Sequence, residues 1–297
     1  MVQSRARKLV VWMAITAGGM TAVTVHAQEH GSAPSGPAPS GPAPVLMTVR
    51  EMLQPGAEAA HAKLEAEYAA ALDAGKGSQY YLGMGAITGT PQTVFLSGYS
   101  SLEEMSEVHD HDEATMGEKL ASLDEDHSGT LAGVDTAIWR LRPDLSNPNP
   151  VNLAKMRFME LIHIHVKLGH SAEFADLIKQ IREGWIKADP DFHYSIYQQT
   201  FGSSTDDSYL VTIAIKSLAD IDKHHSMVAE YRKSLGEDAQ KHMLEFESAD
   251  YNSTESNLFA FTPSMSRLPP SWTKDDTEFW KPKPTVAVPA KKAVKAK

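Results

Sequence analysis

The fold is decided by two stretches, VREMLQPGAEAAHAKLEAEY (residues 49 to 68) and IHIHVKLGHSAEFADLIKQI (residues 162 to 181). Laid over each other, they align Gly56 with Gly169 and the apolar Leu64 with Leu177. Each begins as a β-rich run, turns at its glycine and continues with the apolar period of an amphipathic helix. Because self-similarity at this scale governs the whole architecture, the match predicts a repeated unit.

Two later matches extend the repeat. SGYSSLEEM (97 to 105) lies over IAIKSLADI (213 to 221), which aligns Ser101 with Ser217 as starts of a second helix. DTAIWRLRPDLS (135 to 146) lies over ESNLFAFTPSMS (255 to 266), which aligns Pro143 with Pro263. The offset drifts only from 113 to 116 to 120, as expected when small insertions accumulate in loops. Glu104 and Asp220, three residues after each serine, predict a capping box at both helix starts.

Each unit shows the same order of patterns: strand, helix, two strands, helix, strand. We therefore predict an α+β fold, a tandem duplication of a ferredoxin-like βαββαβ unit. A single unit would leave one apolar sheet face in water, at about 25 cal/mol for each Å² exposed. Two copies can face each other and close an intrachain dimeric α/β-barrel, which also removes the free sheet edges.

Composition shifts divide the chain further. A Pro/Gly/Ser/Ala linker covers residues 28 to 44, and a C-terminal arm with a disordered basic tail covers 267 to 297. The first ferredoxin-like domain is therefore predicted at 45 to 147 and the second at 155 to 266. The last seventeen residues hold six lysines and no acid. The tryptophan-containing segment 271 to 282 is expected to fold back over the barrel, because exposed tryptophan is unfavourable.

The N-terminus indicates export. Residues 1 to 27 have the layout of a secretory signal peptide, with a basic start, an apolar run and a small-residue cleavage site at Ala27. The alternative is a retained membrane anchor. We expect a periplasmic or secreted protein without stable membrane insertion after signal removal. The chain contains no cysteine, which excludes disulfides and thiol chemistry.

The charge balance bears on partners. Loss of the three basic residues of the signal leaves 25 Lys and Arg against 38 Asp and Glu, a formal net charge of about −13. This balance disfavours nucleic acid as a partner. A small-molecule ligand is the expected partner, and further self-association is left open.

DEDHSGTLAGVD (124 to 135) has the ligand spacing of an EF-hand calcium loop, with Asp124, Asp126, Ser128 and Asp135 at ligand positions. An EF-hand requires a helix after its loop. The next segment, TAIWRLRP, instead alternates and ends at proline like a strand. We interpret the stretch as a connection between a helix and a strand, and keep calcium as the minor alternative.

Candidate ligand-binding residues lie on the predicted strands. His163 and His165 are two apart and so share a face, and Arg50 falls on His163 in the repeat. The apolar Ile162, Ile164 and Val166 suit the helix-covered face, so we expect Arg50, His163 and His165 to face the barrel interior. Hydrogen-bonded structural histidines are the alternative.

Two weaker groups of residues complete the candidates. Tyr81 and Tyr194 superpose in the repeat and can offer phenolic protons to a ligand, although core packing explains them as well. His109 and Asp112 share a helix face, and His225 matches His109, which makes a metal site conceivable. A solvated acidic helix end is the alternative. Sequence signatures of serine hydrolases, HExxH metalloproteases and nucleotide-binding loops are missing.

MRFMELIHIHVKLGHSAEFADLIKQI (156 to 181) with YLVTIAIKSLADID (209 to 222) resembles the dimeric α/β-barrel superfamily, and is most similar to NIPSNAP-type exported bacterial domains. The resemblance covers about 155 to 263 well and 45 to 146 more loosely. It implies the fold and a ligand cavity. Members of the superfamily include cofactor-independent monooxygenases, haem-handling enzymes and binding proteins, so it implies no single activity.

Our leading hypothesis is an exported protein that binds a small aromatic or anionic molecule between its two lobes. The first alternative is an oxidoreductase, either cofactor-independent or haem-dependent, with His163 or His165 as base or axial ligand. The second is a structural module of the cell envelope held by the basic tail. We expect no cofactor, with haem or a divalent metal left as alternatives.

Overall fold

The computed structural model describes residues 41–147, 151–249 and 251–281. The predicted signal peptide, the linker up to residue 40 and the tail beyond Lys281 lie outside the described residues. Among the helices that are described, none combines the length and the apolar character needed to cross a lipid bilayer.

Eight strands and seven helices make up the described chain. The strands are β1 (Val45–Leu53), β2 (Leu82–Ala86), β3 (Gln92–Tyr99), β4 (Leu131–Leu141), β5 (Phe158–Val166), β6 (Ser195–Phe201), β7 (Asp207–Ile215) and β8 (Tyr251–Phe261). The helices are α1 (Glu58–Ala74), α2 (Leu102–His127), α3 (Ser171–Ala188), α4 (Leu218–Leu235), α5 (Glu237–Ala249), α6 (Pro270–Thr273) and α7 (Thr277–Trp280). Both halves follow the predicted order of elements, and only the second half splits its second helix.

The strands form a closed antiparallel barrel in the order β1-β3-β2-β8-β5-β7-β6-β4. Each half contributes four consecutive strands, β4-β1-β3-β2 from the first and β8-β5-β7-β6 from the second. The halves join where β2 pairs with β8 and where β4 pairs with β6. The predicted mixed α/β fold with a closed eight-stranded barrel is confirmed.

Side chains alternate between the barrel interior and the helix-covered outside. On β5, Met159 and Leu161 belong to the interior cluster, whereas Ile164 and Val166 pack outward against Phe174 of α3. The interior cluster also draws on the other strands, through Leu46, Leu82, Met84, Val94, Leu96, Ala137, Trp139, Tyr197, Leu210, Ala214, Phe259 and Phe261. These side chains fill the middle of the barrel and remove apolar surface from water.

The turns and caps follow the chemistry of the sequence. Gly56 and Gly169 have φ of 81° and 91°, a left-handed conformation that glycine adopts without steric cost. The Ser101 hydroxyl accepts a hydrogen bond from the Glu104 amide at 3.1 Å, and the Ser217 amide donates to Asp220 Oδ2 at 2.8 Å.

The stretch with calcium-loop spacing is not a loop. Helix α2 continues through His127, a 3₁₀ turn covers Ser128–Thr130, and β4 begins at Leu131. Asp124 and Asp126 therefore lie on a helix while Asp135 lies in a strand. The segment from Ile138 onward is extended, as the strand interpretation requires.

The end of the described chain packs across one end of the barrel. Trp280 is buried against the interior cluster and donates its ring N–H to the Ala154 carbonyl at 2.8 Å. The guanidinium of Arg157 pairs with Asp276 and lies over the ring of Phe279, 3.9 Å from its centroid. These contacts place the segment from Leu268 to Lys281 at that barrel end. From here on, "C-terminal arm" means this described part of the predicted arm.

Truncation of Trp280 tests how firmly the arm is held. We expect Trp280→Ala to lower the free energy of unfolding by about 3 to 5 kcal/mol, since it removes a buried aromatic side chain and its hydrogen bond. Chemical denaturation measures the loss. Leu244→Ala is the matched control, because Leu244 is 62% exposed and its truncation should be nearly neutral. Equal stabilities of the two variants would contradict the described packing of the arm.

Candidate functional site

The barrel has a cavity at each end, separated by the interior cluster. The larger cavity, about 840 Å³, opens where β1, β2, β5 and β6 begin. The smaller cavity, about 360 Å³, lies where β5 and β6 end and β4 and β8 begin. Both volumes fall within the range of small-molecule sites.

The smaller cavity contains the two histidines predicted from the sequence. Inward-facing His163 and His165 have ring centroids 4.2 Å apart, and the Trp139 ring meets His163 edge-on at 5.4 Å. Serine hydroxyls surround His165, whose Nδ1 lies 3.1 Å from Ser208 Oγ. The rest of the lining is mainly polar: Asp135, Ala137, Gln199, Ser203, Ser204, Thr205, Asp206 and Ser253.

His163 is held neutral by its surroundings. The pKa of His163 is lowered from the ordinary 6.5 to about 4, mainly by burial, and the neighbouring His165 and Arg50 act in the same direction. Glu255 and Asp135 oppose that shift without cancelling it. Its Nε2 is buried without a hydrogen-bond partner, as is Oε1 of Gln199 in the same cavity. Two such atoms in one cavity favour a polar ligand or water there.

Arg50 lies at the same end of the barrel, next to the smaller cavity. Its guanidinium Nε donates to Gln92 Oε1, and Nη2 lies 3.3 Å from Glu255 Oε2. Glu255 is on β8, directly opposite His163 in the strand ladder. The ion pair links the two halves, but both groups are partly exposed, so it contributes little to stability.

The two predicted tyrosines lie at the opposite end of the barrel. Tyr81 packs edge-on against Phe95 in the layer under helices α1 and α2, and Tyr194 packs in the layer under α3. Both rings are buried at the edge of the larger cavity. The structure thus brings His163 and His165 together in one cavity, places Arg50 beside that cavity rather than in its lining, and separates all three from the tyrosines. The physical reason is that the tyrosines precede β2 and β6, whereas the histidines sit toward the far end of β5.

The larger cavity is lined by apolar side chains of both halves. Leu46, Leu82 and Leu96 come from the first half, and Met159, Tyr197 and Ala214 from the second. The C-terminal arm covers part of the mouth with Leu268, Pro269 and Trp272. Asn152 anchors this cover by donating to Asp275 Oδ2 at 2.7 Å. The cavity is therefore an apolar space between the two halves with a narrow polar rim.

The weaker metal candidates do not form a common site. Asp112 accepts hydrogen bonds from the amides of Ser78 and Gln79, at 2.6 and 3.1 Å, and so fixes the chain before β2. His109 lies on α2 and His225 lies exposed on α4 of the other half. Of the calcium-type positions, Ser128 donates to a backbone carbonyl, whereas Asp135 accepts from Ser203 at 2.8 Å.

A haem does not fit the predicted histidines. Haem needs a wide apolar slot with an axial ligand over its centre. His163 and His165 instead line a small polar cavity with two aspartates. In the larger cavity the histidine is His193, and both its ring nitrogens lie within 3.1 Å of backbone carbonyl oxygens. We derive no haem chemistry from this arrangement.

Several polar residues in or next to the smaller cavity escaped the sequence analysis. Glu255 could have been found, because it aligns with Asp135 at the start of the closing strand in the other half. Gln199 and the serines of the turn between β6 and β7 carry no signal beyond that of a polar turn. Their approach to His163 depends on strand register, which local patterns do not specify.

Comparison with known proteins gives limited likenesses. No family model and no curated protein matches the chain. A solved protein described as a proposed monooxygenase, from Fusobacterium nucleatum, is 12% identical over 74% of this chain and 93% of its own, with a TM-score of 0.48. An anthrone oxidase-like protein is 8% identical over 73% of this chain and 91% of its own, with a TM-score of 0.48.

Chlorite dismutase from Candidatus Nitrospira defluvii, in complex with imidazole, is 10% identical over 74% of this chain and 92% of its own, with a TM-score of 0.44. Identities and TM-scores at this level transfer no activity, and the fold described above rests on the strand order of this chain.

The protonation of His163 can be measured. Nuclear magnetic resonance titration of the ring should show a neutral imidazole at pH 6 and protonation near pH 4. Since the unfolded chain takes up this proton first, the free energy of unfolding should fall between pH 6.5 and pH 4, by at most about 1.4 kcal/mol per pH unit.

His163→Gln supplies the control for this titration. The variant identifies the resonance and should weaken the pH dependence, because the glutamine does not titrate. Protonation of His163 near 6.5 would contradict its described burial.

Proposed function

We propose that the protein binds a small, mainly apolar molecule in the larger cavity, between its two halves. The observation that carries this proposal is the space of about 840 Å³ with apolar walls from both halves and a partial cover from the C-terminal arm. Apolar burial would provide the affinity and the polar rim the orientation. The two halves and the arm must fold together before such a site exists.

The lining also restricts the charge of the ligand. Among the described residues that line the larger cavity, Asp275 is the one Asp, Glu, Lys or Arg side chain. Arg50, which the sequence suggested as a ligand-binding residue, lies at the other end of the barrel. An anionic ligand would find no lysine or arginine in this lining, and both ring nitrogens of His193 already face backbone carbonyl oxygens, so the ligand would lose hydration without a direct charged partner. The lining therefore supports a neutral or weakly basic apolar molecule. This keeps the aromatic ligand suggested by the sequence and disfavours the anionic one.

We infer further that the barrel arose by tandem duplication of one ferredoxin-like unit, on the plan of the dimeric α/β-barrels. The repeated order of elements and the matching strand orders of the two halves support this. The NIPSNAP-like affinity rests on the sequence resemblance. Duplication would explain why a single chain supplies both walls of the cavity.

Catalysis is the second candidate, and the chemistry of the smaller cavity bears on it. A neutral His163 with unshared Nε2 can accept a hydrogen bond or a proton from a bound substrate. A pKa of about 4 makes it a weak base at neutral pH, whereas an efficient general base has a pKa near the working pH. The geometry therefore favours binding over base catalysis. An envelope role for the basic tail stays a separate prediction.

A matched pair of substitutions tests the binding proposal. N-phenyl-1-naphthylamine, a neutral fluorescent probe, should bind and take up excitation energy from Trp272, which lines the larger cavity. Ala214→Phe fills that cavity and should weaken probe binding about tenfold or more. Ala137→Phe fills the smaller cavity and should leave binding unchanged.

Circular dichroism of both variants checks the fold. Loss of binding in both variants alike, or no binding by the unsubstituted protein, would contradict the proposed site.

We also propose that the protein is exported, on the strength of the signal-like N-terminus. The protein recovered from its own host should begin at Gln28, as cleavage after Ala27 requires. Intact-mass measurement of the periplasmic and extracellular fractions checks this. A mass that corresponds to the full chain in the cytoplasm would overturn export, without bearing on ligand binding.

A further inference from the structure

A group of four buried ionisable side chains lies outside both cavities, between strand β1 and helices α1 and α2. Glu51, His61, Glu65 and His127 are each 2% exposed or less. His61 and Glu65 are four residues apart and so share one face of α1. Glu51 comes from β1, and His127 is the last residue of α2. Three separate elements thus direct imidazoles and carboxylates to one point.

The polar atoms of this group are close together. His127 Nε2 lies 2.9 Å from Glu65 Oε1, and His61 Nε2 lies 3.4 Å from Glu51 Oε2. One ligand atom from each of His61, Glu65 and His127 lies within 4.8 Å of the other two. A tetrahedral zinc ion with bonds of about 2.1 Å separates its ligand atoms by about 3.4 Å. The separations of 2.9 and 3.4 Å are close to this value, and Glu51 adjoins the three clustered residues through His61.

The second nitrogen of each histidine is fixed by the protein. His127 Nδ1 lies 2.6 Å from the Leu123 carbonyl oxygen, which can only accept, so Nδ1 carries the hydrogen. His61 Nδ1 lies 3.4 Å from Thr130 Oγ1, and that hydroxyl donates to the His127 carbonyl at 2.8 Å. Both Nε2 atoms therefore face the carboxylates. Histidines that bind metals are oriented in this way, by a hydrogen bond from the other ring nitrogen.

The second half of the protein shows the apolar form of the same site. With Gly56 aligned on Gly169, Glu51 corresponds to Ile164, His61 to Phe174 and Glu65 to Ile178. Phe246 takes the place of His127, since both lie near the end of the helix before the last strand of their half. All four side chains are buried in one apolar cluster. The Phe174 and Phe246 rings lie 6.1 Å apart, and the His61 and His127 rings 5.9 Å.

This comparison shows that the fold does not need polar groups at these positions. Burying two carboxylates and two imidazoles is costly unless their charges are balanced. Because each Nε2 lies beside a carboxylate, a proton or a cation between the two atoms would balance the charge. A divalent ion with two neutral imidazoles and two carboxylates gives a site without net charge, which suits a buried position.

We propose that His61, Glu65 and His127 bind one divalent transition-metal ion of the zinc class, with Glu51, which adjoins His61, as the fourth ligand, so that the ion joins β1, α1 and α2. Since all four ligands are buried, the ion is structural and leaves no open position for substrate. The alternative for the same residues is a pair of buried imidazolium–carboxylate contacts without metal.

Metal binding can be measured directly on the chain from residue 28 to 297. The protein is unfolded with a chelator, refolded with Zn²⁺ and passed over a desalting column. We expect one zinc per chain by elemental analysis and a higher Tm than that of protein refolded with chelator. Refolding with Co²⁺ should give visible absorption bands of a tetrahedral ion.

Variants distinguish this site from adventitious binding. Glu65→Gln removes one ligand charge at constant size and should weaken zinc binding about tenfold or more. The combined variant Glu51→Ile, His61→Phe, Glu65→Ile and His127→Phe copies the second half, and should fold without binding zinc. His225→Gln is the control, because His225 is exposed and outside the group.

The proposal is overturned if the unsubstituted protein retains no zinc, or if Glu65→Gln retains as much as the His225→Gln control. Protonation of both nitrogens of His61 and His127 in the presence of zinc, seen by nitrogen magnetic resonance, would instead establish the ion pairs. Glu65→Gln keeps the test decisive if the combined variant does not fold.

Discussion

The structure depends on two strand pairings that join the halves. Each half supplies four strands and would, by itself, end in two unpaired edges. β2 pairs with β8 through Met84 and Phe261, and β4 pairs with β6 through Trp139 and Gln199, so both edges of each half are satisfied by the other. The same pairings bring the inner faces together and remove their apolar side chains from water. Neither cavity would have complete walls without them.

The two halves share a path but differ in what they bury. Under α3 and α5 the second half packs Phe174 against Phe246, a purely apolar contact. The corresponding space of the first half holds His61 and His127 with their carboxylates. The histidines of β5 have their counterparts in Arg50 and Met52 on β1. Equivalent backbone positions thus carry different chemistry, as fold and function are specified by different residues.

Local signals were sufficient for the fold. The β-rich run that opens the stretch from residue 49 lies in β1, which spans Val45–Leu53. The turns at Gly56 and Gly169 and the helix starts at Ser101 and Ser217 follow from backbone and capping chemistry that acts within a few residues. The similarity of the two quoted stretches supplied the long-range expectation, because two units with the same order of elements can close a barrel between them.

The sites were harder to predict, since they depend on side chains that are distant in sequence. The ligand spacing from Asp124 to Asp135 suggested a loop, whereas apolar burial of Leu120 and Leu123 extends α2 through His127. The i, i+4 spacing of His61 and Glu65 is visible in the sequence, but His127 is more than sixty residues away. Only the packing of α2 against α1 unites them.

The interior cluster has one further consequence. Met84, Leu161 and Phe259 belong to the interior cluster and line neither the larger nor the smaller cavity. The linings of the polar and the apolar cavity thus have no residue in common. A substitution in the lining of one cavity therefore leaves the side chains that line the other unchanged. The ligand specificities of the two cavities can vary separately during evolution.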